Sequence, residues 1–155
     1  MPEETPIRLN PEDILRSGNL LTIQPQGTSM YPFLCPGRDD VTIEPIGDHS
    51  CKRGEVILYR RDESILVLHR VHHRHGNEIY MLGDGQTKPE GPLRPDQMRG
   101  RMIAYRRKGK DHTIHEFHYI LLSRLWLLLR PVRLTLLRTR RRLRKLFHLP
   151  SDGIF

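Results

Sequence analysis

The chain has little cysteine, no long apolar run and no secretory signal, and each shortage excludes a class of protein. Its two cysteines, Cys35 and Cys51, have neither zinc-ligand spacing nor a secretory context, so we expect reduced, partly buried thiols. No apolar run reaches the roughly 18 residues of a membrane-spanning helix. Residues 1–30 mix acids with prolines and lack the basic start and apolar stretch of a signal peptide. We therefore expect one cytoplasmic domain with an appendage from the 155 residues.

Acidic side chains are missing from residues 117–150, which hold nine lysines and arginines. Residues 1–116 hold 17 basic and 17 acidic side chains, and Asp152 is the remaining acid, so the net charge of +8 comes from the C-terminal segment. Its leucines and arginines favour helices, and Pro131 is expected to end one helix and open a second that continues up to Phe147. The sequence therefore predicts basic C-terminal helices.

These basic helices have three interpretations. A leucine stripe with Trp126, edged by arginines, suits a helix in a membrane interface, where each basic residue near anionic lipid contributes about 1 kcal/mol. The leucine face would alternatively pack on the β core or on another chain, and the charge alone would also suit nucleic acid. The membrane interpretation is favoured and nucleic acid is the least favoured, which predicts peripheral binding to the cytoplasmic face of the inner membrane.

Short β-prone runs, separated by Pro, Gly and Asp, occupy residues 20–105. Before them, Asn10 and Pro11 followed by two acids have the order of a short helix with a capping side chain. The predicted fold class is mainly β, with about six strands, a short N-terminal helix and the basic C-terminal helices. We expect a β domain over residues 1–110 and a helical tail over 111–155. The predicted strands are 21–23, 41–44, 56–59, 65–71, 78–82 and 102–105.

The β region also carries residue types that suit nucleophilic catalysis. A serine hydroxyl is a poor nucleophile until a base takes its proton, and histidine suits that task near neutral pH. Ser29 lies in a predicted loop, His69 on a strand, and Asp84 just past the next strand, which a hairpin at 74–77 joins to that of His69. Because neighbouring strands lie about 4.8 Å apart, a histidine and an acid from two of them can meet. The pattern predicts a catalytic site with Ser29 as nucleophile and His69 as base.

Short motifs follow one another along this region: Gly-Thr-Ser-Met-Tyr-Pro at 27–32, Gly-Arg-Asp-Asp-Val at 37–41, Arg-Gly-Glu-Val-Ile at 53–57, His-Arg-Val at 69–71, Gly-Asp at 83–84 and Gly-Arg-Met at 100–102. In this order they resemble the superfamily that unites type I signal peptidases with self-cleaving SOS-type repressors. The resemblance covers residues 27–105, roughly half the chain. It implies a small signal-peptidase-like β core and a serine endopeptidase.

The superfamily divides by its general base. Bacterial signal peptidases and SOS repressors use lysine, whereas the endoplasmic-reticulum and spore-former type uses histidine. No lysine occurs in residues 53–87, so the resemblance implies the histidine type, with Ser29 as nucleophile and His69 as base. Asp84 matches the Gly-Asp acid of the family and is the favoured orienter of His69, and Glu90 corresponds to a second family acid.

The resemblance also implies a source of oxyanion stabilisation. The backbone N–H of Ser29 would meet the oxyanion, with help from Thr28 and from the backbone freedom of Gly27, and losing one such donor typically costs about 3 kcal/mol. Asp96 stays a third alternative for the acid. No cofactor is expected.

The remaining histidines suggest metal binding only weakly. His72, His73 and His75 are expected in a solvated strand end and turn without supporting cysteines. The trio at 112, 115 and 118 has helical spacing, but a linker or helix start is the favoured interpretation, so no metal site is expected.

The chain departs from the superfamily before the serine box. Signal peptidases usually carry a spanning helix there and SOS repressors a DNA-binding domain, whereas residues 1–26 match neither. The resemblance therefore supports the chemistry better than the substrate. The expected function is cleavage of a leader, signal or precursor peptide. The alternatives are a noncatalytic module that keeps the fold and binds a membrane surface or a partner, and a peptidase that processes its own chain.

Overall fold

The β-prone runs pair into one antiparallel sheet of eight strands, which confirms the mainly β fold class. The computed structural model describes residues 10–47, 51–62, 64–132 and 135. The strands are β1 (Leu21–Ile23), β2 (Asp39–Pro45), β3 (Val56–Arg60), β4 (Leu66–His75), β5 (Glu78–Leu82), β6 (Glu90–Leu93), β7 (Met98–Arg107) and β8 (Lys110–Thr113), and the helices are α1 (Pro11–Arg16), a 3-10 turn (Pro95–Gln97) and α2 (Phe117–Leu128).

The sheet order is β1-β2-β7-β3-β4-β5-β6, with β8 pairing with β7. All predicted strands are present, whereas β6 and β8 are additional to the prediction. Their sequences include Gly91 and Pro92 in β6 and a polar run in β8, which are residue types depleted in strands. Pairing with β5 and with the far part of β7 outweighs that weak preference. Because β8 continues to Thr113, the sheet also extends past the predicted domain boundary at residue 110.

The N-terminal helix α1 is confirmed and has the predicted cap. The side chain of Asn10 accepts a hydrogen bond from the backbone N–H of Glu12 at 3.1 Å, and Pro11 occupies the first turn. The carboxylate of Glu12 is buried and accepts hydrogen bonds from Arg60 at 2.7 Å and Arg99 at 2.5 Å. These contacts attach α1 to β3 and β7.

The two faces of the sheet carry separate apolar clusters. On one face Val56 and Leu58 pack with Met30 from the loop after β1, and on the other Ile57 and Tyr59 pack with residues of β5. The split follows from the strand period of two, because successive side chains of β3 point to opposite faces. Residues of β4 divide in the same way, which decides what lies beside His69. Both cysteines are buried and unpaired, as expected.

Helix α2 packs on the sheet with one side only. Tyr119 and Ser123 are buried, and the indole of Trp126 donates a hydrogen bond to the backbone carbonyl of Asp84 at 3.0 Å. Within the described residues, no helix combines the length and apolar character that crossing a membrane requires. Where the sequence predicts a second helix, residues 130–132 and 135 are helical after a turn at Leu129, and the remainder of that prediction up to residue 147 lies outside the described residues. Large apolar side chains are exposed on α2 and just after it, namely Phe117, Leu121, Leu122, Leu125, Leu128, Leu129 and Val132.

Candidate active site

Ser29 and His69 line the same open groove, which has a volume of about 560 Å³. The groove lies between two strand edges. Strand β1 pairs only with β2 in the described part of the chain, and β4 pairs with β5 only from Arg70 onward, which leaves residues 66–69 without a neighbour on that side. Within the described residues, no hydrogen bond joins the Ser29 hydroxyl to His69, a looseness that is common in ligand-free sites.

The serine loop, which comprises residues 24–38 between β1 and β2, is held by the turn after β5. The backbone carbonyl of Ser29 accepts a hydrogen bond from the backbone N–H of Gly85 at 2.8 Å. A Cβ atom at Gly83 would lie 2.5 Å from that same carbonyl oxygen, and one at Gly85 would lie 3.1 Å from the carbonyl oxygen of Thr28. The two glycines are needed because the backbones approach so closely. The Gly-Asp-Gly turn at residues 83–85 therefore supports the serine loop.

His69 is buried, with 2% of its surface exposed, and its Nδ1 atom faces Tyr59. The Tyr59 hydroxyl lies 3.0 Å from Nδ1 and donates a hydrogen bond to Oε2 of Glu90 at 2.9 Å. The same carboxylate oxygen lies 3.9 Å from Nδ1. Arg61 binds both oxygens of Glu90 with its guanidinium group, and its Nε lies 2.6 Å from Oε1. Tyr59 thus stands between the histidine and the acid.

The electrostatics of this group favour a neutral histidine. Burial lowers the pKa of His69 to about 4, although Glu90 acts in the opposite direction. Burial alone would raise the pKa of Glu90, but hydrogen bonds from Arg61 and Tyr59 lower it overall. Near neutral pH the site therefore holds an unprotonated imidazole and an ionised carboxylate.

The sequence predicts that Asp84 lies beside His69, but its side chain lies on the opposite face of the sheet, next to Arg70. Both of its carboxylate oxygens accept hydrogen bonds from Arg70, each at 2.8 Å, and both side chains are buried. Arg70 pairs with Leu82 across the sheet, and Asp84 follows two residues later, so its side chain falls on the Arg70 side and away from that of His69. This corrects the prediction that Asp84 orients His69.

Glu90 reaches the His69 side for the same reason of register. It pairs with Met81, which pairs with Val71, and Val71 lies two residues beyond His69 on one strand face. The third alternative, Asp96, is exposed and pairs with Arg94 at 3.1 Å. The acid next to the histidine is therefore Glu90, with Tyr59 between them, and sequence reasoning missed the tyrosine.

A cage of aromatic groups surrounds Arg70. Its guanidinium carbon lies 5.3 Å from the ring centre of Phe33 and 5.9 Å from that of Tyr119, and Nη1 donates to the carbonyl of Gly54 at 2.8 Å. Phe33 also packs edge to face against Trp126, with ring centres 5.7 Å apart. The cage joins the serine loop, β4 and α2. An arginine within an apolar strand was the available sequence signal for it.

The loop around Ser29 offers a donor for an oxyanion. The backbone N–H of Ser29 makes no hydrogen bond within the described residues, and Thr28 is exposed beside it. Gly27 has a φ of +73°, a conformation that glycine adopts without strain. Gly27 and Ser29 line the groove with Thr28 between them in the chain, and the backbone N–H of Ser29 is the available donor.

The histidines outside the groove have other partners. His73 and His75 are exposed, and His72 contacts Arg130, which agrees with the expected strand end and turn. In the second group of histidines, which was expected at a linker or helix start, His112 and His118 both contact Glu116, at 3.0 and 3.1 Å. Their ligand-type atoms lie within 4.8 Å of one another. The residue types suit zinc, and the contacts observed are hydrogen bonds and ion pairs around one carboxylate.

No family model and no curated protein matches the chain. The resemblance to signal peptidases and SOS-type repressors therefore stays a prediction from the motifs, and what the structure contributes is the arrangement of the residues that carry them. Ser29 and His69 share a groove, Glu90 approaches the histidine through Tyr59, and Asp84 stabilises the serine loop with Arg70. Chemically, such an arrangement can supply a hydroxyl nucleophile and a neutral imidazole base.

Proposed function

We propose that the protein is a serine endopeptidase that cleaves a leader, signal or precursor peptide. One observation carries the proposal: Ser29 and His69 line one groove, and the Nδ1 atom of His69 is engaged behind it by a tyrosine and an acid. A hydroxyl nucleophile and an oriented imidazole base are the parts that acyl transfer requires.

In this proposal Ser29 attacks the carbonyl carbon of the scissile peptide bond. Its proton passes to Nε2 of His69, and the tetrahedral oxyanion is met by the backbone N–H of Ser29. The imidazolium then gives the proton to the leaving amine, and water repeats the sequence to release the acyl group. The low pKa of His69 keeps the base unprotonated before the attack.

The shape of the groove supports a peptide as substrate. Its two borders are the edge of β1 and the first part of β4 on the side not paired with β3, which present backbone donors and acceptors to an extended chain. Leu21, Ile23, Leu66 and Leu68 are among the lining residues and would receive apolar side chains. A folded globular substrate would not fit between two strand edges, so an extended precursor segment is the favoured substrate class.

We further propose that α2 binds the surface of an anionic membrane. Phe117 is 79% exposed and Leu128 is 71% exposed, and the leucines around them form an apolar surface that the sheet does not cover. Residues 117–150 hold nine basic and no acidic side chains, which complements anionic lipid. Membrane binding would then bring the protein close to precursors at that surface.

Replacing Ser29 by Ala tests the peptidase proposal. The purified wild type is expected to cleave members of an extended-peptide library and to be labelled by a fluorophosphonate probe. The S29A variant is expected to lose both, since removing a triad nucleophile costs on the order of 10⁶ in kcat. S17A, which changes an exposed serine at the end of α1, is the matched control and is expected to retain both.

Two outcomes would select an alternative function. A folded wild type that is neither labelled nor active on any peptide would contradict the peptidase proposal and favour a noncatalytic binding module. A shortened product that forms in the stored wild type and not in S29A would show that the protein processes its own chain.

A further inference from the structure

The hydrogen bonds around Tyr59 determine which nitrogen of His69 carries the proton. Tyr59 is fully buried on β3, on the same sheet face as His69, and its hydroxyl oxygen lies within 3.0 Å of both Nδ1 and Oε2 of Glu90. A tyrosine hydroxyl has one hydrogen to donate. The hydroxyl can therefore donate to only one of these two neighbours and must accept from the other.

The carboxylate of Glu90 decides between the two. An ionised carboxylate only accepts hydrogen bonds, and Arg61 holds it in place with two of its own donors. The Tyr59 hydrogen is therefore committed to Glu90. The Tyr59 oxygen can then interact favourably with His69 only as an acceptor, which requires a hydrogen on Nδ1.

We propose that Tyr59 is a positioning residue that holds His69 in the Nδ1–H tautomer and leaves the lone pair of Nε2 free. What that lone pair does rests on the proposed peptidase function, in which it accepts the proton of Ser29. The tautomer itself follows from the donors and acceptors that meet at Tyr59 and is independent of any substrate.

Tyr59 keeps its proton throughout the proposed catalytic cycle. When Ser29 attacks, its Oγ–H bond breaks and an Nε2–H bond forms on His69, while Nδ1–H continues to donate to the Tyr59 oxygen. Burial and the nearby carboxylate of Glu90 raise the pKa of Tyr59 above its usual range, so the hydroxyl keeps its proton. The positive imidazolium is stabilised by an oriented hydroxyl and by the negative charge behind it.

Nitrogen-15 NMR of histidine-labelled protein tests this directly. At neutral pH, the His69 ring, assigned by the signals missing in H69Q, is expected to show a protonated Nδ1 and an unprotonated Nε2. In Y59F the acceptor is lost, and the ring is expected to become a mixture of tautomers. In E90A the Tyr59 hydrogen is released to donate to Nδ1, and the ring is expected to change to the Nε2–H form.

A surface tyrosine provides the matched control. Tyr80 donates to Glu78 at 3.3 Å at the exposed end of the β4–β5 hairpin, so Y80F removes a tyrosine–glutamate hydrogen bond without touching His69. Y80F is expected to leave the His69 tautomer unchanged. A wild type with Nε2–H, or variants Y59F and E90A that both keep the wild-type pattern while folded, would overturn the inference.

The same variants separate this inference from the peptidase proposal. If the tautomer is as expected and the wild type cleaves no peptide, only the peptidase proposal fails. If the wild type is active, kcat of Y59F is expected to fall by on the order of 10² to 10⁴, the upper end being the loss seen when a triad histidine takes the wrong tautomer. An active enzyme whose Y59F variant retains both kcat and the wild-type tautomer would contradict the role of Tyr59.

Discussion

His69 and Arg70 are neighbours in the chain, yet each interacts with a different acid. Side chains of consecutive strand residues point to opposite faces, so His69 meets Tyr59 and Glu90 while Arg70 meets Asp84. In the proposed function the first group serves proton transfer, whereas the second holds the serine loop against β4. One dipeptide thus connects the proposed chemistry with its structural support.

Removing the carboxylate of Asp84 is expected to reduce stability. The D84A variant leaves Arg70 buried without its anionic partner, and breaking a buried pair in this way costs about 3 to 5 kcal/mol in the free energy of unfolding. Urea unfolding followed by fluorescence measures the change. D96A, which breaks the exposed pair with Arg94, is the matched control and is expected to stay within about 0.5 kcal/mol of the wild type.

Removing the charge of Glu90 is expected to affect activity more than stability. E90Q keeps the size of the side chain, and its carboxylate is partly exposed, so stability should change less than in D84A while peptidase activity falls. If D84A keeps full stability but loses activity while E90Q remains active, Asp84 would regain the role of orienting acid.

The pH dependence follows from the state of His69. With its pKa lowered to about 4, the base is unprotonated above that pH, so the acid limb of kcat/KM is expected near pH 4 to 5 and not near pH 6.5. Stability has the matching sign. Between pH 6.5 and about 4 the unfolded chain gains a proton at this histidine that the folded chain does not, so stability falls as the pH falls. Activity measured against pH checks the first expectation. H69Q should reduce the slope of stability against pH without abolishing it, because burial also lowers the pKa of His72.

At the scale of elements, α2 supports the site that β4 and β5 carry. Trp126 donates to the carbonyl of Asp84 and packs on Phe33, which in turn covers Arg70. The helix is thus connected to the serine loop from behind, although it lies outside the region of motif resemblance. Its inner side is structural, and its outer side carries exposed apolar side chains.

Truncating Trp126 is expected to weaken this support. W126A removes a partly buried ring and one hydrogen bond, which we expect to cost about 2 to 3 kcal/mol of stability and to lower activity by loosening the loop around Ser29. Thermal unfolding and peptide cleavage measure the two effects. L125A, on the exposed side of the same helix, should change neither property appreciably, and equal losses in both variants would contradict a specific role for Trp126.

At the scale of the whole molecule, charge is segregated along the chain. The part up to residue 116 is neutral overall, and the basic excess begins with α2, where apolar side chains also face outward. A surface with both properties binds anionic lipid through apolar burial and charge together.

Vesicle sedimentation tests the membrane proposal. The protein is expected to bind vesicles containing phosphatidylserine, to bind phosphatidylcholine vesicles weakly, and to be released by salt. L128E should reduce the affinity by about tenfold or more, since it removes a leucine from the apolar surface. L20E makes the same change at an exposed leucine next to β1 and should bind normally. Equal binding to both vesicle types, or no effect of L128E, would contradict the proposal.

Local structure and the residue types of the site could be predicted from the sequence alone. Strands with β-prone runs, the capped helix α1 and the loop that holds Ser29 are encoded within a few residues, and each lies where the sequence predicts it. The strands β6 and β8 were missed because their own residues have a weak strand preference, which pairing with the adjacent strands β5 and β7 outweighs.

The acid that lies next to His69 could be identified only from the pairing of the strands in three dimensions. Asp84 and Glu90 both follow β5 closely in sequence, and the choice depends on register: Leu82 pairs with Arg70, which sends Asp84 to one face, while Glu90 pairs with Met81 on the other. Tyr59 enters the site through the same face rule. The β4–β5 register shifts by one residue between Val71 and His73, and a residue pattern along one strand does not show where such an irregularity lies.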